Sequence, residues 1–260
     1  KQNVTCSSSS SGGGGSFGRS ESHYATSPLS GDSSIGYFIK NKLGVWCKLR
    51  NNYRWELGKI ESAVGEEMFV RLLDGNMITV SRGELLPANA DVLDGVDDLV
   101  ELSYLNEPSV VHSLQCRYDR DIIYSKAGPV LLAFNPFKDV NIYGDDFVAA
   151  YKEKILDNPH VYAVADAAYS DMMKDGGNQS IIISGESGSG KTETAKFAMQ
   201  YLALVGSQNC DMKSKLIQAN CILEAFGNAK TFGNWNSSRF GKLIDIHYNA
   251  AGTISGACIQ

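Results

Sequence analysis

The order of apolar and polar residues divides the chain into three parts. Residues 1–34 are dominated by serine and glycine, with few large apolar side chains. Such a segment cannot bury enough apolar surface to offset the entropy lost on ordering, so the pattern predicts a disordered leader. Residues 35–90 carry short runs of strand-forming residues, whereas residues 91–260 mix helical and strand patterns.

The second part has the pattern of a small all-β unit. Short apolar runs rich in strand-forming residues predict strands over residues 45–49, 55–60, 68–73 and 77–80. Asp74-Gly75 separates the last two runs and is a strong signal for a two-residue hairpin turn. Strands this short and closely spaced, ending near Pro87, predict an SH3-like β-barrel. Trp46, Trp55 and Phe69 fit either the barrel's own core, which is favoured, or an aromatic groove for proline-rich ligands.

The third part predicts an α/β arrangement. Apolar positions between residues 93 and 102 predict one or two short helices, and residues 124–134 predict two strands broken at Gly128-Pro129. Further elements are predicted as helices over 145–154, 159–173 and 214–226 and as a hairpin over 243–259. Ile181, Ile182 and Ile183 make both faces of a strand apolar, which is typical of a buried parallel strand covered by helices. The predicted fold is therefore α/β, with a mixed, mostly parallel sheet flanked by helices.

A glycine-rich loop follows that strand and carries the clearest chemical signal. It fits the pattern GxxxxGK[ST] through Gly185, Glu186, Ser187, Gly188, Ser189, Gly190, Lys191 and Thr192. The glycines let successive backbone N–H groups point at a phosphate, and the following helix adds the positive end of its dipole. Lys191 would reach the β- and γ-phosphates, and the Thr192 hydroxyl would bind Mg²⁺. The loop predicts a nucleoside triphosphate site; the alternative, a Gly/Ser surface loop, does not explain the flanking strand and helix.

A second polar segment, residues 234–241, supplies groups that a nucleotide-dependent switch needs. Such a switch uses a hydroxyl that can enter the Mg²⁺ shell and a backbone that can touch the γ-phosphate. Asn234, Ser237 and Ser238 provide these groups. The segment therefore predicts a loop that is ordered while the γ-phosphate is present.

Composition excludes several other classes. The formal net charge is −5 and no basic stripe is present, which argues against a nucleic-acid partner. The six cysteines are scattered without a CxxC pair, which favours reduced thiols over a disulfide framework or a zinc site. No apolar run reaches the length of a membrane span. We expect a soluble, cytoplasmic protein.

Several segments together resemble the N-terminal part of a myosin motor head. These are GESGSGKTET at 185–194, NWNSSRFGK at 234–242, NPFK at 135–138 with Tyr143, VYAVADAAYSDM at 161–172 and LEAFGNAKT at 223–231. The resemblance covers the chain from about Leu43 to its end. The serine-rich leader and the segment GKLIDIHYN resemble most the plant class VIII branch.

The resemblance implies a P-loop NTPase fold behind an SH3-like barrel, with ATP and Mg²⁺ as its ligands. It also implies a role for each matched side chain: phosphate binding by Lys191 and Asn234, Mg²⁺ ligation by Thr192 and Ser238, positioning of the attacking water by Ser237, a salt bridge from Arg239 to a glutamate of switch II, and adenine contact by Asn135 and Tyr143.

The sequence departs from the family pattern at three positions near this site. Ser189 replaces the usual alanine of the loop, Gly233 stands where many members have arginine, and Asp139 stands where a basic residue is common. The last two put the tightness of nucleotide binding in question. Asp245 could be taken for a Walker-B aspartate, but its alternation with isoleucines favours an ordinary sheet residue.

By resemblance the protein is an actin-based motor ATPase of the cytoplasmic actin cytoskeleton. Its expected partners are actin filaments and, on a neck outside this sequence, light chains or calmodulin. The predicted domains are the leader (1–34), the barrel (35–90) and a motor portion (91–260) that stops before switch II, so the chain alone is expected to be inactive. The alternatives are another P-loop NTPase, such as a kinase, or a non-enzymatic interaction module built on the barrel.

Overall fold

The structure is a computed structural model that describes residues 3–10, 32–49, 54–89, 94–206 and 210–260. The chain forms two compact units, one made of residues 17–120 and the other of residues 1–16 and 121–260. The strands are β1 (Asn3–Ser10), β2 (Gly44–Lys48), β3 (Trp55–Val64), β4 (Glu67–Leu72), β5 (Met77–Ser81), β6 (Leu85–Pro87), β7 (Tyr124–Ala127), β8 (Val130–Phe134), β9 (Gln179–Gly185), β10 (Asn228–Ala229), β11 (Ser237–Ser238), β12 (Ile244–Tyr248) and β13 (Ile254–Ile259). The α-helices are α1 (Asp32–Lys40), α2 (Glu107–Asp119), α3 (Asp145–Lys152), α4 (Val161–Asp175), α5 (Lys191–Gly206) and α6 (Cys210–Gly227).

The first unit contains a five-stranded antiparallel sheet in the order β5-β4-β3-β2-β6. All four predicted strands are confirmed within a few residues, and β6 ends at Pro87 as expected. Asp74-Gly75 makes the predicted turn, in which Gly75 has a φ of 88° and the Asp74 carboxylate accepts a hydrogen bond from the Asn76 N–H at 2.9 Å. Local turn chemistry and β-propensity therefore predict the positions of these strands.

The core of this sheet differs from the predicted one. Its buried apolar residues are aliphatic or small along the strands and include two residues of α1: Ile35, Phe38, Val45, Cys47, Ile60, Met68, Val70, Leu72, Val80 and Leu85. Trp46, Trp55 and Phe69 all lie outside this cluster, and the predicted core assignment is wrong for Trp55 and Phe69, which are only half-buried. They alternate with the core residues along β2, β3 and β4, which places them on the other face of the sheet.

Trp46 is nevertheless buried, because α2 covers it. Its indole Nε1 donates a hydrogen bond to the Ser109 hydroxyl at 3.0 Å, and its ring lies 5.2 Å from that of His112. Only 7% of Trp46 is exposed, so it does not form the wall of an open groove for proline-rich ligands. Trp55 and Phe69 are half-buried.

The pattern of apolar and polar residues did not predict two helices of this unit. α1 begins inside the predicted leader, and α2 lies after the residues for which short helices were predicted. That predicted region holds one 3-10 turn, Leu99–Glu101. α2 has its own start signal, since the Asn106 side chain accepts a hydrogen bond from the Ser109 N–H at 3.1 Å and a proline occupies the first turn.

The second unit contains a four-stranded sheet in the order β7-β8-β1-β9. Every pairing in it is antiparallel, so the prediction of a mostly parallel sheet is not met in the described residues. β8 and β9 do run in the same direction, but β1 lies between them and pairs with both. The predicted disordered leader was thus wrong for Asn3–Ser10, where the extended backbone satisfies its hydrogen bonds on two neighbouring strands. Residues 11–31 of that leader lie outside the described residues.

Helices α3, α4 and α5 pack together against this sheet. The shared core joins Tyr124 and Leu131 of the sheet to Tyr162 of α4 and Tyr201 of α5. Ile181 and Ile183 pack against this core, whereas Ile182 is 59% exposed. The prediction that helices cover both faces of β9 is therefore wrong for the described residues, because the opposite face carries no helix here.

The predicted end of α4 and the last hairpin are both confirmed. Gly176 follows α4 in the left-handed conformation, with a φ of 66°. β12 and β13 pair antiparallel, and the Tyr169 hydroxyl of α4 donates a hydrogen bond to the Gly252 carbonyl of their turn at 2.9 Å. Asp245 lies on β12 as the sequence predicted, paired in register with Cys258.

Candidate functional site

The glycine-rich loop connects the end of β9 to the start of α5. Gly185, Gly188 and Gly190 have φ values of 151°, 81° and 100°, a region that favours glycine. The Ser189 N–H donates to the Glu186 carbonyl at 3.2 Å, which closes a turn inside the loop. The Thr194 N–H and hydroxyl both donate to the Gly190 carbonyl, at 2.9 and 3.1 Å. The glycines of the motif therefore adopt positive φ angles, and these angles bend the chain at the N-terminus of α5.

Lys191 folds back over this loop. Its ammonium donates hydrogen bonds to the carbonyls of Gly185 and Glu186, each at 2.8 Å, and the residue is half-buried. A cation held over a helix N-terminus adds to the positive potential there. The loop thus combines the two features that attract a phosphate group.

Two hydroxyl pairs join the glycine-rich loop to the segment around β11. The Ser187 and Ser237 Oγ atoms lie 3.1 Å apart, and Thr192 Oγ1 lies 3.5 Å from Ser238 Oγ. Neighbouring oxygens around an octahedral Mg²⁺ lie about 3 Å apart, so the Thr192 and Ser238 hydroxyls fit adjacent positions on one such ion. Among the described residues no group of three or more His, Cys, Asp or Glu side chains could hold a metal ion. Two hydroxyl ligands are sufficient for Mg²⁺, because this ion usually fills the rest of its shell with waters and phosphate oxygens.

The segment that carries Ser237 and Ser238 is held by its own local contacts. β11 pairs with β10, which places Ser238 opposite Asn228. The Arg239 N–H donates to the Gly227 carbonyl at 3.2 Å, and its guanidinium donates to Ser237 Oγ at 3.4 Å. The structure therefore turns Arg239 toward the hydroxyl pair.

Asn234 bonds within its own loop. Its side-chain oxygen accepts a hydrogen bond from the Asn236 N–H at 3.0 Å, and its carbonyl accepts one from the Thr231 N–H at 2.8 Å. The Asn234 side chain shapes its own turn in this structure, and its contact with phosphate stays a prediction. Trp235, beside it, is 82% exposed, and the Lys230 ammonium lies 3.8 Å from the centre of its indole ring.

The two residues predicted to face adenine lie on the other side of the loop. The Asn135 amide donates to the Gly188 carbonyl at 2.9 Å and so ties the end of β8 to the loop. Tyr143 stacks on Phe197 of α5 with ring centres 3.5 Å apart, and its hydroxyl lies 2.8 Å from that of Tyr124. Burial raises the pKa of Tyr143, although the hydrogen bond with Tyr124 opposes this effect. Its phenol is thus a neutral group that can both donate and accept.

A cavity of about 210 Å³ opens beside the loop. Its lining includes Asn135, Asp139, Tyr143, Ser189 and Phe197. Phe197 was not predicted from the sequence, which treated it only as a helical residue. Its spacing of three and four residues from Thr194 and Glu193, which line the same cavity, was the available signal.

An ion-pair cluster next to the site was also missed. Lys196 of α5 pairs with Glu193 at 2.9 Å and with Glu224 of α6 at 3.1 Å. Burial lowers the pKa of Lys196, but hydrogen bonds to the two carboxylates outweigh this and raise it. The i,i+3 spacing of Glu193 and Lys196 could have indicated the first pair. The second pair joins α6 to the helix that follows the loop.

No helix within the described residues combines the length and apolar character that crossing a bilayer requires.

Two family models match this chain. The description "Myosin head (motor domain)" applies to residues 96–260, and "Myosin-1-like, N-terminal SH3 domain" applies to residues 43–88. The second match agrees with the SH3-like antiparallel sheet of the first unit. These matches do not favour the alternatives of an interaction module or of another P-loop enzyme.

Curated relatives agree with both models. Myosin-2 of Arabidopsis thaliana is 59% identical over 88% of this chain, and Myosin-1 of the same plant is 58% identical over 86% of it. Myosin-J heavy chain of Dictyostelium discoideum is 37% identical over 90% of it. The alignment spans 19% of each of the two plant proteins and 12% of the Dictyostelium protein, so the chain corresponds to about a fifth or less of their lengths. The resemblance seen in the sequence is confirmed: the chain belongs to the myosin motor-domain family.

Proposed function

We propose that this chain forms the N-terminal portion of an actin-based motor that binds and hydrolyses Mg-ATP. The observation that carries the proposal is the approach of two separate segments at two points, Ser187 to Ser237 and Thr192 to Ser238. Each segment alone could be an ordinary polar loop. Hydroxyl pairs on both sides of one position, beside a lysine and a helix N-terminus, form a site for a metal-bound phosphate chain.

The nucleotide would lie across the loop from the cavity toward the hydroxyl pairs. The cavity is smaller than the roughly 300–1,000 Å³ of sites that enclose a whole small ligand. It therefore suits the nucleoside part, with Asn135 and Tyr143 beside the base. The phosphates would extend over the loop toward Lys191, whose ammonium would exchange its carbonyl partners for β- and γ-phosphate oxygens.

Thr192 and Ser238 would hold Mg²⁺, which supplies positive charge to oxygens of the terminal phosphates. Ser237 would orient the water that attacks the γ-phosphorus in line with the leaving oxygen. The Arg239 guanidinium, 3.4 Å from Ser237 Oγ, would fix that hydroxyl in place. Lys191 and the backbone N–H groups of the loop would stabilise the charge that moves onto the β-phosphate.

Release of the γ-phosphate would free the segment around β11, because its hydroxyls would lose their shared ligand. Asn234 would take part by leaving its present turn and contacting phosphate in the bound state. A loop ordered by the γ-phosphate and released after hydrolysis is a general device for coupling a nucleotide to movement. We place the protein in the cytoplasm on actin filaments, with light chains or calmodulin bound elsewhere in the whole protein.

The test is nucleotide binding by a motor domain that carries this chain. Lys191→Ala removes the ammonium from the loop, so we expect the affinity for a fluorescent ATP analogue to fall at least a hundredfold, corresponding to about 3 kcal/mol or more. The matched control is Lys174→Ala, which removes an exposed lysine near the end of α4. The proposal fails if Lys191→Ala binds the analogue as tightly as the control does.

A further inference from the structure

Ser189 is the one departure from the family pattern that lies inside the glycine-rich loop. Only 2% of the residue is exposed, and its hydroxyl is buried without a hydrogen-bond partner among the described residues. A serine hydroxyl can donate one hydrogen bond and accept two. Burying it without a partner costs free energy that a methyl group at the same place would not cost.

Three polar side chains of the cavity wall already have hydrogen-bond partners in the protein. The Asn135 side chain bonds the Gly188 carbonyl and the Phe137 N–H, both at 2.9 Å. The Thr194 hydroxyl bonds the Gly190 carbonyl at 3.1 Å, and the Tyr143 hydroxyl lies 2.8 Å from that of Tyr124. Each of these side chains lines the cavity and has a hydrogen-bond partner within the protein. Ser189 is the wall residue whose buried hydroxyl has none.

Its position indicates what could pair with it. Ser189 lines the cavity beside the loop, together with Gly190, Asn135 and Tyr143. Under the proposed function this cavity receives the nucleoside part of the ligand, while the phosphates lie over Lys191. The oxygen of a serine is positioned by one torsion angle, χ1. A change of χ1 rotamer can therefore turn the oxygen toward a group that enters the cavity.

We infer that Ser189 is a specificity-determining residue whose hydroxyl bonds a polar atom of the nucleoside, and this inference rests on the proposed function. No protein group among the described residues pairs this hydroxyl, whereas the bound nucleoside would pair it. Ser189 therefore destabilises the free state and stabilises the bound one. A serine that acted only as a packing residue would not have opposite effects on the two states.

The experiment compares wild type, Ser189→Ala and Ser189→Cys in a motor domain that carries this chain. Thermal unfolding without ligand measures the free state, and titration with ATP measures the bound one. Inorganic tripolyphosphate serves as a probe that carries the phosphates without the nucleoside. Ser255→Ala is the matched control, since it removes a hydroxyl from β13 whose partner is the His247 carbonyl.

We expect Ser189→Ala to unfold at a higher temperature than wild type and to bind ATP about three- to tenfold more weakly. Its affinity for tripolyphosphate should equal that of wild type. Ser189→Cys keeps the shape with a weaker donor and should fall between the two for ATP. These results together would support the inference.

Three results would overturn it. One is an ATP affinity of Ser189→Ala equal to that of the control. Another is an equal loss for ATP and tripolyphosphate, which would assign the hydroxyl to a phosphate instead of the nucleoside. The third is a lower unfolding temperature, since the free state would then use the hydroxyl. The proposed function fails only if wild type itself binds neither ATP nor tripolyphosphate. If wild type binds ATP but one of the three results above is found, only the inference about Ser189 fails.

Discussion

At the scale of single residues, His160 has the most unusual surroundings outside the candidate site. It is 4% exposed, and its ring lies 4.9 Å from Tyr124 and from Tyr151 and 4.6 Å from Tyr162. Its Nδ1 accepts a hydrogen bond from the Tyr162 N–H at 3.0 Å, which caps α4. A histidine used as an acceptor among tyrosine rings has to be neutral.

This setting makes the stability of the fold depend on pH. Burial lowers the pKa of His160 from 6.5 to about 4, although the nearby backbone of Ile142 opposes the shift. Below 6.5 the unfolded chain binds a proton there and the folded chain does not, so stability falls as pH drops from 6.5 to about 4. The slope is about 1.4 kcal/mol per pH unit, and the loss levels off below the folded pKa.

We predict that His160→Asn flattens this dependence. Asparagine keeps a cap acceptor but does not titrate, so unfolding free energies by urea at pH 6.5 and pH 4 should differ by about 3 kcal/mol less than in wild type. His247→Asn, at an exposed position of β12, is the control and should follow wild type. Parallel curves for wild type and His160→Asn would contradict the prediction.

At the scale of elements, contacts between helices and the loops that follow them set the geometry of the site. α6 ends at Gly227, and the Phe240 ring packs directly against the position where a side chain at residue 227 would lie. The Gly227 carbonyl also accepts the Arg239 N–H. The end of α6 is therefore the support for the segment that carries Ser237 and Ser238.

Gly227→Ala should disturb that support. The added methyl group overlaps the Phe240 ring, and displacing the ring should cost about 1–3 kcal/mol and move Ser238 away from Thr192. We expect a lower melting temperature and weaker binding of Mg-ATP than for Gly233→Ala, where a methyl group meets nothing within 4 Å. Equal behaviour of the two variants would show that the packing of Phe240 does not support the loop.

Helices α4 and α5 are joined by a buried polar cluster. Asp166 is 5% exposed; its carboxylate accepts a hydrogen bond from the Tyr201 hydroxyl at 2.7 Å and pairs with the Lys154 ammonium. Burial, followed by the hydrogen bond and charge of Asp166, raises the pKa of Tyr201. The carboxylate thus gives a fully buried tyrosine the acceptor that it needs.

A double-mutant cycle should detect the coupling. Tyr201→Phe should cost about 1 kcal/mol, and Asp166→Ala about 2 kcal/mol or more, because it leaves the phenol without its acceptor. The double variant should lose clearly less than the sum, as measured by urea unfolding. Strict additivity would mean that the two side chains act independently.

At the scale of the whole molecule, the predictable parts were those specified by short-range signals. The Asp74-Gly75 turn, the strand pair split at Gly128-Pro129 and the loop ending in Lys191 each follow from the conformational preferences of a few adjacent residues. The meeting of Ser187 with Ser237 could be expected only through the family resemblance, because no local rule relates positions fifty residues apart. The buried, unpaired hydroxyl of Ser189 could be identified only from the structure.

The parts that could not be predicted depend on tertiary contacts. α2 inverts the usual pattern, since Ser109 and Ser113 are buried and Val111 is 56% exposed. Its buried face meets polar partners such as Trp46 Nε1, so hydrophobic periodicity gives no signal. β1 is a serine-rich strand whose place between β8 and β9 depends on backbone hydrogen bonds, which side-chain patterns do not encode.

Turnover by the chain alone is a prediction at this scale. The chain spans about a fifth of the length of its plant relatives, and its sheet ends at β9 in the described residues. We expect the 260-residue chain to show negligible actin-stimulated ATP turnover, measured by phosphate release with and without filaments. Stimulation comparable to that of a complete motor domain, assayed in parallel, would refute this.

The outer edge of β9 has a further consequence, for handling the protein in solution. Its backbone N–H and C=O groups on that side carry no neighbouring strand in the described part of the chain, and Ile182 projects from the same strand with 59% exposure. An uncovered strand edge with an apolar side chain is a template for pairing with a second molecule. We expect concentrated samples of the isolated chain to associate through this strand, which leads into the glycine-rich loop.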